Sequence, residues 1–227
     1  MPDAAAPPLR KLLREGPALA KLLLSQWRKP PFDPGRCEAG RPVLVIPGFL
    51  ANDASTGLLR RTLRAAGHRA YGWGMGVNLG ARADTLDRLG ERLDAVIAKA
   101  GRPVALIGWS LGGLYARELA KRRADDVDLV ITLGSPFSGD LRANHARRLY
   151  ELINDHKVDD PPVEVELGRK PLARTVSFWS ERDGIVATSC ARGSPGETDE
   201  CIELHCTHMG FVTDAEPLRA ILELLAS

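Results

Sequence analysis

The sequence has little of what marks metal-binding, disulfide-rich or membrane-spanning proteins. Four of its 227 residues are cysteines, and no Cys-x-x-Cys pair occurs among them, which argues against a zinc site and a disulfide scaffold. No apolar run approaches the roughly 18 to 20 residues that cross a bilayer, and the N-terminus lacks the apolar core and cleavage site of a signal peptide. We therefore expect a soluble, cytoplasmic protein.

The sequence also lacks an excess of charge of one sign. Its 31 Lys and Arg residues nearly balance its 29 Asp and Glu residues, and no basic cluster is interleaved with aromatic side chains, so we expect no nucleic-acid partner. What is present is an apolar content of 44% in 227 residues, which is typical of one α/β domain with a buried core.

The most informative segment joins a buried strand to a helix at Ser110. The apolar run 104–107 predicts a strand covered on both faces, and apolar residues then recur at helical spacing: Leu111, Leu114, Tyr115 and Leu119. So abrupt a turn brings backbone segments close together, which requires positions without side chains at Gly108 and Gly112. We expect Ser110 Oγ at the top of the sheet and the Leu111 N–H at a helix N-terminus, where it can face an oxyanion.

This turn, Gly-Trp-Ser-Leu-Gly at 108–112, resembles the nucleophile turn of the α/β-hydrolases, and the resemblance extends from about Arg41 to the C-terminus. Taken alone, the pattern also fits a serine that only caps a helix. The regular alternation of predicted strands and helices argues for a mostly parallel sheet with helices on both faces. The resemblance implies this fold with a small cap insertion, and a serine, an acid and a histidine in that order along the chain.

The same resemblance implies which residues are the acid and the base. Asp183 lies just past the predicted strand 174–179, where the family places its acid, and Glu181 is the alternative. His208 follows a short loop and precedes the closing helix, as the family's histidine does, whereas the alternative His205 continues the last predicted strand. The other histidines lie at the distal end of a helix or in the predicted cap: His68, His145 and His156.

A second buried strand, 43–46, ends in a Pro-Gly pair at 47–48. In the α/β-hydrolases the residue after such a glycine supplies the second oxyanion-hole N–H, which the resemblance assigns to Phe49 beside that of Leu111. Side chains at the same edge of the sheet are expected to line the substrate entrance, or else only to pack its loops: Leu50, Trp73, Met75, Asn78, Trp109 and Phe137.

We divide the chain into an N-terminal helical extension, residues 1–34, and an α/β-hydrolase domain, residues 35–227, with a small cap at 138–169. The prolines of the extension predict one or two short helices, and Pro17 suits the first turn of the second. Segment 9–29 has a leucine stripe opposite basic residues, which favours packing on its own domain or a second subunit over contact with a membrane surface. Deleting residues 1–29 is expected to remove little from the catalytic machinery, because every candidate site residue lies after Ile46.

The resemblance implies ester hydrolysis through an acyl-enzyme, with no metal and no organic cofactor. The apolar entrance favours a small-molecule or lipid ester with an apolar acyl group, and so a carboxylesterase or lipase-like enzyme. The alternatives are a thioesterase or acyltransferase with the same three residues, or a non-catalytic binding protein of this fold. The sequence leaves open the oligomeric state and a Cys190–Cys201 disulfide, although reduced thiols are favoured in the cytosol.

Overall fold

The computed structural model describes residues 6–37, 39–139 and 166–226. Within these residues six strands form one parallel sheet: β1 (Pro42–Ile46), β2 (Arg69–Gly72), β3 (Val104–Trp109), β4 (Val127–Leu133), β5 (Arg174–Trp179) and β6 (Glu200–Glu203). The strand order across the sheet is β2-β1-β3-β4-β5-β6. Three of the interior strands, β1, β3 and β4, are built from nearly continuous apolar runs, as the sequence predicts for strands with both faces covered.

Helices cover both faces of this sheet. They are α1 (Leu9–Ser25), α2 (Gly57–Ala65), α3 (Thr85–Ala100), α4 (Leu111–Arg122), α5 (Thr188–Arg192) and α6 (Ala215–Ala226), with a 3₁₀ turn at Met209–Val212. Helices α2 and α6 pack against one face through residues such as Leu59 and Ile221, and α3 and α4 cover the other through Leu93 and Leu119. The predicted fold class, a mostly parallel sheet with helices on both faces, is confirmed.

The connections between strands create a crevice at the carboxyl ends of the parallel strands. From β1 the chain passes outward to β2, and it then returns across β1 to begin β3 on the other side. The loops that follow β1 and β3 therefore leave the sheet in opposite directions. In open parallel sheets, ligands bind at the carboxyl ends of the strands at such a reversal. Gly48 follows β1 and Ser110 follows β3, so both lie at this crevice.

Of the one or two helices expected in the N-terminal segment, the structure describes one, α1, and Pro17 lies inside it rather than at the start of a second helix. The proline removes one N–H donor, and the carbonyl that loses it belongs to the exposed residue Leu13, where water can replace the bond. Only three residues of α1 are buried, Glu15, Leu22 and Ser25, so the helix packs on its own domain mainly through polar residues.

Most of the leucine stripe of α1 faces solvent, although Leu22 is buried in the core. The exposed apolar residues are Leu9, Leu13, Leu19, Leu23 and Leu24, with Trp27 just beyond the helix. Among the described residues, no helix is long and apolar enough to cross a bilayer. Most of the predicted cap, 138–169, lies outside the described residues.

Candidate active site

The turn after β3 holds Ser110 in a strained backbone conformation. Ser110 has φ 53° and ψ −122°, in a region that L-residues rarely adopt, and such a conformation costs about 1–3 kcal/mol. Two backbone hydrogen bonds hold it in place: Ser110 N–H donates to Leu133 O over 2.9 Å, and Gly113 N–H donates to Ser110 O over 2.9 Å. Because α4 begins at Leu111, the N–H of that residue lies at a helix N-terminus.

Close backbone contacts explain the two glycines that flank Ser110. A Cβ atom at Gly108 would lie 2.3 Å from the carbonyl oxygen of Gly112, and one at Gly112 would lie 2.3 Å from that of Ile46. Neither glycine has a positive φ. The absence of a side chain is therefore required by the approach of α4 to the ends of β3 and β1, and not by the backbone angles of the glycines themselves.

The loop after β1 passes beside Ser110. A Cβ atom at Gly48 would lie 3.1 Å from Ser110 Cβ, and Phe49 and Leu50 follow Gly48 in the chain. Leu50 has a positive φ of 59° and donates its N–H to Asn78 O over 2.7 Å. The buried Asn78 side chain also donates to Pro47 O over 2.9 Å. Asn78 thus ties this loop to the glycine-rich loop after β2, which is the packing role that the sequence left open.

Asp183 and His208 meet in a buried hydrogen bond. Asp183 Oδ2 lies 2.7 Å from His208 Nδ1, and the two side chains are 2% and 3% exposed. The other carboxylate oxygen, Oδ1, accepts the N–H groups of Ile185 and Val186 over 2.8 and 2.9 Å. These bonds fix the orientation of the carboxylate toward the imidazole, because both of its oxygens have defined donors or partners.

His208 packs against the residue that precedes Ser110. Trp109 Nε1 donates to His208 O over 3.1 Å, and the two ring centroids are 5.8 Å apart. Burial by itself lowers the pKa of His208, but the charge of Asp183, the hydrogen bond with it and the charge of Glu15 together raise that pKa above its ordinary value. The site therefore stabilises a protonated imidazole beside the turn that carries Ser110.

The alternative acid and base lie elsewhere. Glu181 is exposed on the turn before Asp183. His205 is exposed, and its Nδ1 lies 3.1 Å from Glu216 Oε1. His68 lies just before β2, at the opposite edge of the sheet, and accepts the N–H of Arg41. The remaining two histidines, His145 and His156, lie outside the described residues.

The side chains expected at the substrate entrance differ in their exposure. Leu50 is 44% exposed, whereas Trp73, Trp109 and Phe137 are buried. Trp109 belongs to the core on the face of the sheet that α2 and α6 cover. The guanidinium carbon of Arg117 lies 4.1 Å from the centroid of the Phe137 ring. Trp73 and Met75 line a pocket of about 210 Å³ that is otherwise formed by the loop after β2 and the start of α3: Val77, Leu79, Gly80, Arg82, Thr85 and Arg88.

One residue of this region was not identified from the sequence. Glu15 of α1 is 5% exposed, and its carboxylate accepts the N–H groups of Gly184, His208 and Met209 over 2.9, 2.8 and 3.2 Å. The expectation that residues 1–29 are dispensable for the site is therefore corrected, because α1 contacts the loops that carry Asp183 and His208. The available signal is that Glu15 is the sole acidic residue in segment 9–29, among six basic ones: Arg10, Lys11, Arg14, Lys21, Arg28 and Lys29.

Cys190 and Cys201 bracket a loop between Asp183 and His208, and they are not joined by a disulfide. Cys190 is buried in α5, whereas Cys201 is exposed on β6. The loop geometry is therefore maintained without the covalent link that the sequence left open.

Comparison with known proteins identifies the class of fold. No protein-family model matches the sequence, and no curated protein matches it either. Solved structures of esterases and lipases do match, and the fold is that of the α/β-hydrolases.

Three of these structures illustrate the extent of the match. The monoacylglycerol lipase of Paleococcus ferrophilus is 18% identical with a TM-score of 0.57, over 82% of this chain and 96% of the lipase. A metagenomic carboxyl esterase is 14% identical with a TM-score of 0.60, over 84% of this chain and 75% of the esterase. A bacterial membrane phospholipase A is 18% identical with a TM-score of 0.54, over 84% of this chain and 80% of the phospholipase. At these identities the similarity concerns the fold alone.

Proposed function

We propose that the protein is a serine hydrolase that cleaves carboxylic esters with an apolar acyl group. The observation that carries the proposal is the buried hydrogen bond of 2.7 Å between Asp183 and His208, which lies beside the strained turn at Ser110. A nucleophile, a base and a third group that orients the base form the constellation that activates a serine. The esterases and lipases that share the fold support the same reaction class.

The proposed reaction proceeds by acyl transfer to water. His208 Nε2 takes the proton of Ser110 Oγ as the oxygen attacks the ester carbonyl carbon, and the same proton passes to the departing alkoxide as the C–O bond breaks. Water then attacks the acyl-enzyme and loses a proton to His208, and that proton passes to Ser110 Oγ as its bond to the acyl carbon breaks and the acid product leaves. Asp183 holds the imidazole with Nε2 toward the serine and stabilises the imidazolium that forms in each half of the reaction.

The N–H groups of Phe49 and Leu111 are proposed to bind the oxyanion of each tetrahedral intermediate. Leu111 supplies the first N–H of α4, where the partial positive charge of the helix N-terminus favours an anion. Phe49 follows Gly48, whose backbone passes beside Ser110. Loss of one such donor typically costs about 2.7–4 kcal/mol of transition-state stabilisation, so these two groups would supply a large part of the catalysis.

The proposed substrate is a small-molecule or lipid ester. The monoacylglycerol lipase and the carboxyl esterase that share the fold act on esters, as their names state. The exposed Leu50 lies next to the proposed oxyanion donor and offers an apolar contact at the crevice. An apolar acyl chain at this contact would gain about 25 cal/mol for each Å² of apolar surface that it buries.

Labelling with a fluorophosphonate probe, followed by peptide mass spectrometry, tests the proposal. We expect the phosphonyl group on Ser110, together with turnover of p-nitrophenyl esters that improves from acetyl to butyryl to octanoyl. A matched series of thioesters, and a transfer assay with added alcohols, distinguish ester hydrolysis from thioesterase and acyltransferase activity. The absence of labelling at Ser110 in the folded protein would contradict the proposal and favour a non-catalytic binding protein.

A further inference from the structure

Glu15 links three segments that are far apart in the sequence. Its Oε1 accepts the N–H of Gly184 and the N–H of His208, and its Oε2 accepts the N–H of Met209. One donor thus follows Asp183 directly, and the second is the backbone of His208 itself. A buried carboxylate is costly unless it is hydrogen-bonded, and here three backbone donors, directed to both oxygens, compensate for its burial.

A second and independent contact presses α1 against the same loop. A Cβ atom at Gly184 would lie 2.5 Å from the carbonyl oxygen of Lys11 and 2.9 Å from Leu12 N. Gly184 does not have a positive φ, so its turn does not itself require a glycine. The side chain is absent at this position because the backbone of α1 passes directly over the loop that carries Asp183.

Two further contacts hold α1 in this position. Lys21 Nζ lies 2.5 Å from Asp214 Oδ1, on the segment that follows the 3₁₀ turn after His208. At the end of the helix, Arg61 of α2 donates to the carbonyl oxygens of Ser25 and Arg28 over 2.6 and 3.1 Å. These contacts anchor the helix on the C-terminal side of Glu15, and the approach of Lys11 to Gly184 anchors it on the N-terminal side.

We propose that Glu15 is a positioning residue for the acid and the base, and that α1 is for this reason an integral part of the active site. The distance between Asp183 and His208 depends on how two separate loops, after β5 and β6, approach each other. Glu15 binds the backbone of both loops at the residues that set this distance. The inference rests on the proposed function, because it assigns Glu15 a role in the geometry of the same three residues.

The charge of Glu15 adds an effect that a purely structural contact would not have. Its carboxylate is one of the groups that raise the pKa of His208. Within residues 6–37, 39–139 and 166–226, the carboxylates of Asp183 and Glu15 and the rings of Trp109 and Phe211 lie against His208. Because His208 must be neutral to accept a proton, its pKa sets the acid limb of the pH–rate profile. Removal of the Glu15 charge should lower that pKa and move the acid limb to lower pH.

Glu15→Gln is the variant that tests the proposal. An amide has one acceptor oxygen and one NH₂ group, so at least one of the three N–H donors would face another donor. We expect kcat for a p-nitrophenyl ester to fall by roughly 10- to 100-fold, the scale of a small misplacement of reacting groups. We also expect KM to change little and the acid limb to move to lower pH.

Two control variants separate positioning from general effects. Glu91→Gln removes one negative charge from an exposed site on α3, and Leu22→Ala loosens α1 at a residue that contacts neither loop by hydrogen bonding. In both variants the acid limb of the pH–rate profile should lie at the same pH as in the native protein. If Leu22→Ala moved the acid limb as far as Glu15→Gln does, a general loosening of the helix would explain the result and the proposal would be wrong.

An NMR titration of the His208 ring makes the test independent of turnover. We expect the ring to titrate at lower pH in Glu15→Gln than in the native protein, with altered amide signals at Gly184 and Met209. An unchanged titration would overturn the positioning role whether or not the protein hydrolyses esters. A shifted titration in a protein that the fluorophosphonate does not label would support the coupling of Glu15 to His208 while contradicting the proposed hydrolase activity.

Discussion

The two sides of the candidate site are held together in different ways. On the nucleophile side, Ser110 is fixed by its own turn and the neighbouring strand, through bonds with Gly113 and Leu133 and through the contact between Gly108 and Gly112. On the side of the acid and the base, the loops are held by Glu15, which is 169 residues from Gly184 and 193 residues from His208 along the chain. The first arrangement is local and leaves a pattern in the sequence, whereas the second is not local and leaves almost none.

This difference explains why the sequence predicts the role of Gly108 and Gly112 but not that of Gly184. The spacing of Gly108 and Gly112 indicates a tight strand-to-helix turn, and the contacts at both positions require the absence of a side chain. Gly184 directly follows Asp183, a position at which the sequence predicts only a turn glycine. The structure instead shows that it makes room for the backbone of α1. A close contact with a distant segment cannot be inferred from the residues around the glycine.

The largest effect is expected on the nucleophile side, from Ser110→Ala. The variant keeps a small side chain in the turn, so the fold should persist, but it removes the atom proposed to form the acyl-enzyme. We expect kcat for a p-nitrophenyl ester to fall by roughly 10⁶-fold, the scale seen when the serine of such a triad is removed.

Ser135→Ala is the matched control for this experiment. It removes a buried hydroxyl from the next turn at the same edge of the sheet, where Ser135 Oγ makes only weak bonds of 3.5 Å to Gly108 O and Leu133 O. This control should retain most of the native kcat. Near-native turnover by purified Ser110→Ala would contradict the assignment of the nucleophile.

The next effect is expected on the other side, from Asp183→Asn. The amide oxygen can still accept the N–H groups of Ile185 and Val186, which leaves the amide NH₂ facing His208 Nδ1. Nδ1 must then accept, so the ring proton moves to Nε2, the nitrogen that should receive the proton of the serine. We expect kcat to fall by roughly 10⁴-fold.

Glu181→Gln provides the comparison for the acid, because Glu181 is exposed two residues before Asp183. Steady-state kinetics of the two variants at one pH should separate them by several orders of magnitude. A greater loss in Glu181→Gln than in Asp183→Asn would show that the wrong carboxylate has been assigned.

The fold could be predicted largely because its central strands are covered on both faces. The runs 43–46 and 104–107 are continuously apolar, and each is followed by a segment with helical periodicity. Helix α5, with five residues, is too short for periodicity to reveal it. The burial of Trp109 and Phe137 could not be predicted either, because residues at strand ends become buried or exposed according to how loops from other strands pack over them.

Glu15 shows where prediction from the sequence ends. A glutamate in a basic amphipathic helix is normally solvated, and nothing near it in the sequence indicates that it accepts bonds from residues 184, 208 and 209. The prolines and the leucine stripe made segment 9–29 look like an appendage. Its contact with the loops of the candidate site depends instead on Glu15, the one acidic residue of the segment, which is not part of the stripe.

The smallest effect on activity is expected from replacing either of two leucines in α1 with alanine. These two variants should differ in stability instead. Leu22 is 6% exposed within the core, whereas Leu13 is 79% exposed. Both substitutions to alanine occur in one helix, so helix propensity changes equally and burial accounts for the difference. We expect Leu22→Ala to lower the free energy of unfolding by about 2 kcal/mol or more and Leu13→Ala to change it by less than about 0.5 kcal/mol. Urea denaturation measures both values, and equal losses would show that α1 is not docked through Leu22.

Co-sedimentation with anionic vesicles then tests the membrane alternative: binding that Leu13→Ala weakens and Leu22→Ala preserves would show that the exposed stripe contacts lipid.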